Sequence, residues 1–261
     1  MQDLRVALVQ SDPCWEDIDR NLELHEKLLE NVESDVIVLP EMFTTGFTMN
    51  AAKLAEAPEG KTLQWMSRIS REKTACVMGS FIVQEKDQYF NRLYSINPFG
   101  NYRFYDKRHL FRMGGEDRIY TAGSERQLVV WKGWSILPLI CYDLRFPVWA
   151  RNRMQEDQPE YDCLIYIASW PEKRRNHWMQ LLQARAIENQ SFLLGVNRIG
   201  TDGRDFAYSG DSCILQYDGV PLASEYKKAT VLQSVLSKEK LRSYRKGFPA
   251  WKDGDEFSLQ F

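Results

Sequence analysis

Histidine is scarce in this chain: three among 261 residues, His25, His109 and His177. So small a supply makes a catalytic metal centre rich in imidazole hard to assemble. Cysteine is low and odd in number, at Cys14, Cys76, Cys141, Cys163 and Cys213, with no C-x-x-C pair. That spacing argues against a disulfide framework and against a structural zinc site. No apolar run approaches the ~18 residues of a membrane-spanning helix. Neither sign of charge dominates, since the formal net charge is -2. Nucleic acid and anionic membranes are therefore not expected as main partners. Asp3 and Arg5 stand where a secretory signal would need its basic and apolar regions, so a cytoplasmic location is expected. No Ser/Gly/Pro-rich linker interrupts residues 1–261, which are expected to form a single domain.

A hydrophobic content of 44% and a charged content of 27% are those of an ordinary globular protein. Strand and helix alternate along the chain. Leu4 to Gln10 and Val36 to Leu39 read as buried strands. Between them Glu16 to Val32 has helical spacing, with Asp17 and Asp19 suited to its amino end and His25 on an exposed face. Lys61 to Lys73 is expected to be a helix, then Cys76 to Val83 and Tyr89 to Asn97 a hairpin pair, then Tyr102 to Asp106 a strand. Leu128 to Trp131 and Trp134 to Ile140 bracket a Lys132-Gly133 turn. Phe146 to Met154 is expected to be helical, Tyr161 to Ser169 a strand, and Asn176 to Gln190 an amphipathic helix. Phe192 to Val196, Phe206 to Gln216 and Thr230 to Val235 are the last strands, with an Asp218-Gly219 hairpin turn before the third. The pattern is one of mixed strands with helices outside, in two similar halves.

Three reactive groups sit at or just past the ends of apolar or aromatic runs: Glu41 in V-I-V-L-P-E, Lys107 in F-Y-D-K and Cys141 in I-L-P-L-I-C. If those runs are neighbouring strands, a base, a cation and a nucleophile converge on one edge. Cysteine hydrolysis needs a thiolate, a proton acceptor and donors for the oxyanion. A carboxylate–lysine pair can supply what histidine usually does. Taken singly, each residue has an ordinary explanation: a capping carboxylate, a solvated strand end, a core cysteine. Cys76 and Cys163 lie inside apolar runs and are read as core residues.

Together the motifs resemble the nitrilase superfamily. They are V-L-P-E-M-F (38–43), Y-D-K-R-H-L-F (105–111), C-Y-D-L-R-F-P (141–147), A-R-A-I-E-N-Q (184–190) and G-D-S (210–212). K-R-H-L-F-R-M (107–113), A-S-W-P (168–171) and F-P-A-W-K-D-G-D-E-F (248–257) resemble its omega-amidase branch. The resemblance implies an α/β fold, the four-layer α-β-β-α sandwich, and catalysis by Glu41, Lys107 and Cys141 with Glu116 as a second carboxylate. It implies hydrolysis of the terminal amide of 2-oxo acid monoamides such as 2-oxoglutaramate, through a thioester, with no metal or organic cofactor.

The oxyanion would be held by Lys107 and the backbone N–H of Tyr142. Phe43 and Trp170 are candidates to wall a small pocket, and Arg145 and His177 to bind the substrate carboxylate. Arg112, Arg174 and Arg175 are further loop cations, with Arg174-Arg175 more readily a solvated loop than an anion site. The family also implies a homodimer, with 145–153 and 176–190 as contact segments and the tail 245–261 packed at the interface. A carbamoylase, an aliphatic amidase or a nitrilase on the same scaffold stays open, as does a non-catalytic binding protein.

Overall fold

The computed structural model describes residues 2–155, 158–255 and 257–259. Its first half runs β1 (Leu4–Gln10), α1 (Ile18–Leu29), β2 (Val36–Val38), α2 (Ala51–Leu54), α3 (Lys61–Lys73), β3 (Cys76–Glu85), β4 (Gln88–Ile96) and β5 (Tyr102–Asp106). Next come β6 (Val129–Trp131), β7 (Trp134–Ile140), α4 (Pro147–Ala150), and the two-residue strands β8 (Met154–Gln155) and β9 (Gln158–Pro159). β10 (Cys163–Ala168), α5 (Arg175–Asn189), β11 (Phe192–Asn197), β12 (Ile199–Thr201), β13 (Ala207–Leu215) and β14 (Pro221–Tyr226) follow. β15 (Thr230–Leu236) and α6 (Lys238–Gly247) come after them.

Two sheets result. The first has the order β15-β1-β2-β3-β4-β5, the second β12-β13-β11-β10-β7-β6, with β14 paired to β13. β1, β2 and β3 are mutually parallel, as are β7, β10 and β11. Every residue of β2 and β10 is buried, as parallel strands covered on both faces require. The period-two alternation of β1 divides its side chains between two cores. Val6 and Leu8 join the layer between the sheets, with Val38, Met78, Ile136 and Ile165. Ala7 and Val9 turn outward against Leu22 and Leu29 of α1 and Met66 and Ile69 of α3. Across the molecule α5 covers the second sheet with Trp178, Leu182 and Ala186. Gly195 of β11 permits that approach: a Cβ there would meet Leu182 Cδ1 at 2.6 Å. The order of layers is α-β-β-α.

Several expectations are corrected. Phe146 to Met154 is not one helix: α4 ends at Ala150, and Arg151 is extended. Asn152 is instead held by tertiary bonds, its backbone N–H donating to Asn189 Oδ1 at 2.9 Å and its side chain to Tyr161 O at 2.9 Å. His25 is not on an exposed face. It follows Leu22 at i+3 and precedes Leu29 at i+4, the stripe that α1 turns inward, and is fully buried. Its Nδ1 lies 2.7 Å from Asn21 O and its Nε2 3.0 Å from Ser11 Oγ.

The Asp218-Gly219 turn returns into β14, whereas β15 crosses to the first sheet and pairs with the whole of β1, Leu4 opposite Leu236 and Gln10 opposite Thr230. α6 had no legible apolar stripe, because its buried residues are Lys238, Leu241 and Arg245. Both cations are neutralised by Asp162. Beyond α6, Gln190 grips the chain, its amide donating to Phe248 O at 2.8 Å and its Oε1 accepting from Trp251 N at 3.2 Å. Of the expected tail 245–261, residues 256, 260 and 261 lie outside the described residues. Among the described residues no helix is long and apolar enough to cross a membrane.

Candidate active site

Four strand ends meet at one edge of the sandwich. Glu41 lies three residues past β2, and Lys107, Cys141 and Ser169 each directly follow a strand: β5, β7 and β10. The strands carrying Glu41 and Lys107 are not neighbours, since β3 and β4 intervene, and Cys141 comes from the other sheet. Convergence comes from stacking the sheets, not from adjacency within one.

At its strand end Cys141 opens a 3-10 turn (Cys141–Arg145) with φ +43°, left-handed backbone that an L-residue adopts only under constraint. Asp143 supplies the constraint. Its Oδ2 accepts from Ile140 N at 3.0 Å and from Tyr105 OH at 2.7 Å, and its Oδ1 accepts from His109 N at 3.0 Å. The His109 ring completes the link, with Nδ1 2.8 Å from Asp143 Oδ1 and its face stacked on Phe146 at 3.8 Å. Residues flanking Lys107 are thereby tied to the turn that carries Cys141. His109 is a packed, hydrogen-bonded neighbour of the site.

Lys107 is buried between two buried carboxylates. Its ammonium donates to Glu41 Oε1 at 2.7 Å and to Glu116 Oε1 and Oε2 at 3.0 and 2.9 Å. Burial alone would lower its pKa, but Glu116 and then Glu41 outweigh that and hold the ammonium above its usual range. Glu116 is raised, first by burial and against the pull of Lys107, with Glu41 adding to the rise. It starts a 3-10 turn after Gly115 (φ +79°), and its Oε2 accepts from Phe111 N at 2.6 Å. Glu41 Oε2 accepts from Ser169 N at 2.8 Å. Asn91, in β4, donates to Glu41 Oε1 at 2.9 Å and to Glu116 Oε1 at 3.2 Å. Burial, then the charge of Glu41, push the Cys141 thiol well above its ordinary value, and Lys107 opposes without prevailing. That shift favours the thiol form of the sulfur, with Glu41 beside it. Tyr142, near the start of its turn, has a backbone N–H with no acceptor inside the turn.

A cavity of about 190 Å³ opens above Cys141, which remains 9% exposed. Lys107, Cys141 and Ser169 contribute to its lining, with Phe47, Phe111, Tyr142, Trp170 and Tyr208 as aromatic walls. Tyr142, Arg145 and Trp170 line it. Phe43 does not: it is fully buried in the outer core, 5.1 Å from the His25 ring and 5.8 Å from Trp65. Nor does His177 line it. His177 is exposed and touches the cavity only through Arg145, whose Nη2 lies 3.1 Å from its Nδ1. Arg175 is paired with Asp211 at 2.7 Å and Arg112 points outward, its side chain 87% exposed. Arg174 does reach the cavity, which corrects its reading as a solvated loop residue. Asn91, Phe47, Arg204 and Phe206 were not foreseen. Asn91 lies inside a strand and Arg204 in a polar loop, where no local pattern marks them. Ser169 could have been found, because it directly follows a buried strand, as Cys141 does.

A thiol, a buried lysine shared by two carboxylates and a small aromatic cavity define a cysteine-dependent hydrolase. The chain belongs to the carbon-nitrogen hydrolase family, whose profile matches residues 5–246. It is 46% identical to the omega-amidase YafV of Yersinia enterocolitica over 99% of this chain and 100% of that one. It is 30% identical to the 2-oxoglutaramate amidase of Bacillus subtilis, over 95% of this chain and 96% of that one. Among solved structures, XC1258 of Xanthomonas campestris, a CN-hydrolase superfamily protein with an arsenic adduct in its active site, matches with TM-score 0.98. That match has 42% identity and covers 100% of both chains. Nit3 of Saccharomyces cerevisiae, at 22% identity, shares the fold with TM-score 0.82 over 95% of each chain.

Proposed function

We propose that this protein is an omega-amidase, hydrolysing the terminal amide of 2-oxo dicarboxylic acid monoamides such as 2-oxoglutaramate and 2-oxosuccinamate. The observation that carries the reading is the buried Glu41–Lys107–Glu116 cluster beside Cys141, of which Lys107 and Cys141 open onto a cavity that Arg145, Arg174 and Arg204 also line. The floor suits an amide and the edge suits a carboxylate. The named relatives support the same substrate class.

In the proposed cycle Cys141 Sγ attacks the amide carbon while its proton passes to Glu41, since a raised thiol pKa leaves little thiolate at rest. The oxyanion is received by the Lys107 ammonium and the Tyr142 N–H. Glu116 holds Lys107 charged and in place. Glu41 returns the proton to nitrogen, the C–N bond breaks, and ammonia leaves a thioester on Cys141. Glu41 then takes a proton from water, which attacks the thioester carbon, and the C–S bond breaks to give the acid and the restored thiol.

Ammonia release from 2-oxoglutaramate, 2-oxosuccinamate, glutamine, asparagine, a carbamoyl amino acid and a nitrile tests the reading. Preference for glutamine over its 2-oxo analogue would overturn it. Cys141→Ala is expected to abolish turnover, and Glu41→Gln and Lys107→Ala to lower kcat by roughly 10²–10⁴-fold. The protein is further proposed to act in the cytoplasm as a homodimer. Exposed Val148, Met179, Ile187 and Phe248, on α4, on α5 and just beyond α6, support burial against a second copy. Sedimentation showing only monomer at micromolar concentration would count against the dimer.

A further inference from the structure

Cations converge on this cavity without acids to meet them. Arg145, Arg174 and Arg204 all line it, no Asp or Glu does, and among the described residues none of the three forms an ion pair. Several half-buried or buried arginines elsewhere are neutralised: Arg92 by Asp106 at 2.7 Å, Arg175 by Asp211 at 2.7 Å, Arg185 by Glu188 at 3.1 Å. Arg145 is partly committed, with Nη2 on His177 and its guanidinium 4.8 Å from the centre of a Trp170 ring.

The other two are carried by the aromatic wall. Arg174 stands 5.3 Å from the centre of the Phe111 ring, and Arg204 5.9 Å from that of Phe47. The two rings are 6.5 Å apart, and the Lys107 ammonium approaches the same Phe47 ring at 5.1 Å. One ring therefore spaces the floor cation from a rim cation. The loop that delivers Arg204 is built for it. Buried Asp202 accepts from Arg204 N at 2.9 Å, Phe206 N at 3.0 Å and Tyr208 OH at 2.8 Å. The Arg204 side chain donates to Phe47 O at 3.2 Å, which leaves further guanidinium donors free.

We propose that Arg174 and Arg204 form the clamp that receives the substrate carboxylate. It thereby selects amides bearing a free carboxylate at a set distance and disfavours those carrying an ammonium beside it. The proposal rests on the omega-amidase reading and deepens it. An anion arriving here needs no resident acid displaced, whereas the ammonium of an amino acid meets guanidinium groups and no carboxylate.

The test compares kcat/KM for glutaramate, its uncharged counterpart pentanamide, and glutamine, in the wild type and in Arg174→Gln, Arg204→Gln and the double variant. The glutaramate-to-pentanamide ratio is expected to fall about 10–100-fold in each single variant and further in the double. The change should lie mainly in KM, because the clamp holds ground and transition states alike. Arg204→Lys should restore part of the ratio. Because the readout is a ratio within one protein, partial unfolding cancels. A ratio unchanged by the substitutions, with the wild type preferring glutaramate, overturns the clamp and leaves the omega-amidase reading intact. A wild type with no preference for glutaramate over pentanamide overturns both.

Discussion

A left-handed backbone costs an L-residue about 1–2 kcal/mol, and Cys141 adopts one at φ +43°. Glycine bears no such cost, so Cys141→Gly is expected to exceed Cys141→Ala in stability by about 1 kcal/mol, read by chemical denaturation. The strain aims the sulfur at Glu41 and the cavity instead of continuing β7. Asn91 belongs to this scale too. It gives hydrogen bonds to two carboxylates without adding charge, so Asn91→Ala should lower kcat about tenfold in an ammonia assay. Asn91→Asp should lower it more, by setting a third carboxylate on the cluster. Burial holds His25 down from 6.5 to about 4, against the opposing bond to Asn21 O. Between those values the unfolded chain binds a proton that the folded chain refuses. Stability is therefore expected to fall as pH drops through that window, by at most about 3 kcal/mol. Urea titrations at pH 7 and 4.5 check this, and a His25→Gln variant that stays folded should show a smaller loss.

Elements explain why the site keeps its geometry. The Asp143 network joins the end of β5 to the turn after β7, satisfying donors from Tyr105, His109 and Ile140. Removing the carboxylate strands these donors in a buried setting, so Asp143→Ala should destabilise the protein by about 3 kcal/mol or more. It should also lower kcat, because Lys107 and Cys141 lose their common anchor. An Asp143→Ala variant with wild-type melting and turnover would refute that role. Element identity was largely legible in the sequence: the strands ending at Gln10, Val38, Asp106 and Ile140 stop within a residue of expectation. The failures have a common cause. Asn152 is diverted from a helix by bonds to Asn189 and Tyr161, and α6 hides its buried face among lysines and arginines whose partner, Asp162, is distant in sequence. Periodicity cannot register a partner that only folding brings near.

At the scale of the whole molecule, β15 stitches the halves together. It leaves the second sheet's territory and pairs along the whole of β1, at the edge of the first. Neither half can complete its sheet and bury the inter-sheet face alone. Unfolding is therefore expected as one transition, coincident by tryptophan fluorescence and circular dichroism, with Trp65 in the outer core and Trp134 and Trp178 in the main core. Two resolved transitions would argue for separable domains.

The residue types and the strand ends that carry them were written in the amino-acid order, because alternation and apolar runs are local properties; the four-layer sandwich was legible only through the resemblance of the motifs to a known family. Which of those ends meet was not. Glu41 and Lys107 come from strands separated by two others, and Cys141 and Ser169 from the opposite sheet. Phe43 was equally placed by pattern to wall the cavity, yet it turned to the outer core, while Arg204 arrived from a loop with no signal of its own. Sheet order and face-to-face packing decided these outcomes, since contacts between residues far apart in sequence depend on the fold as a whole.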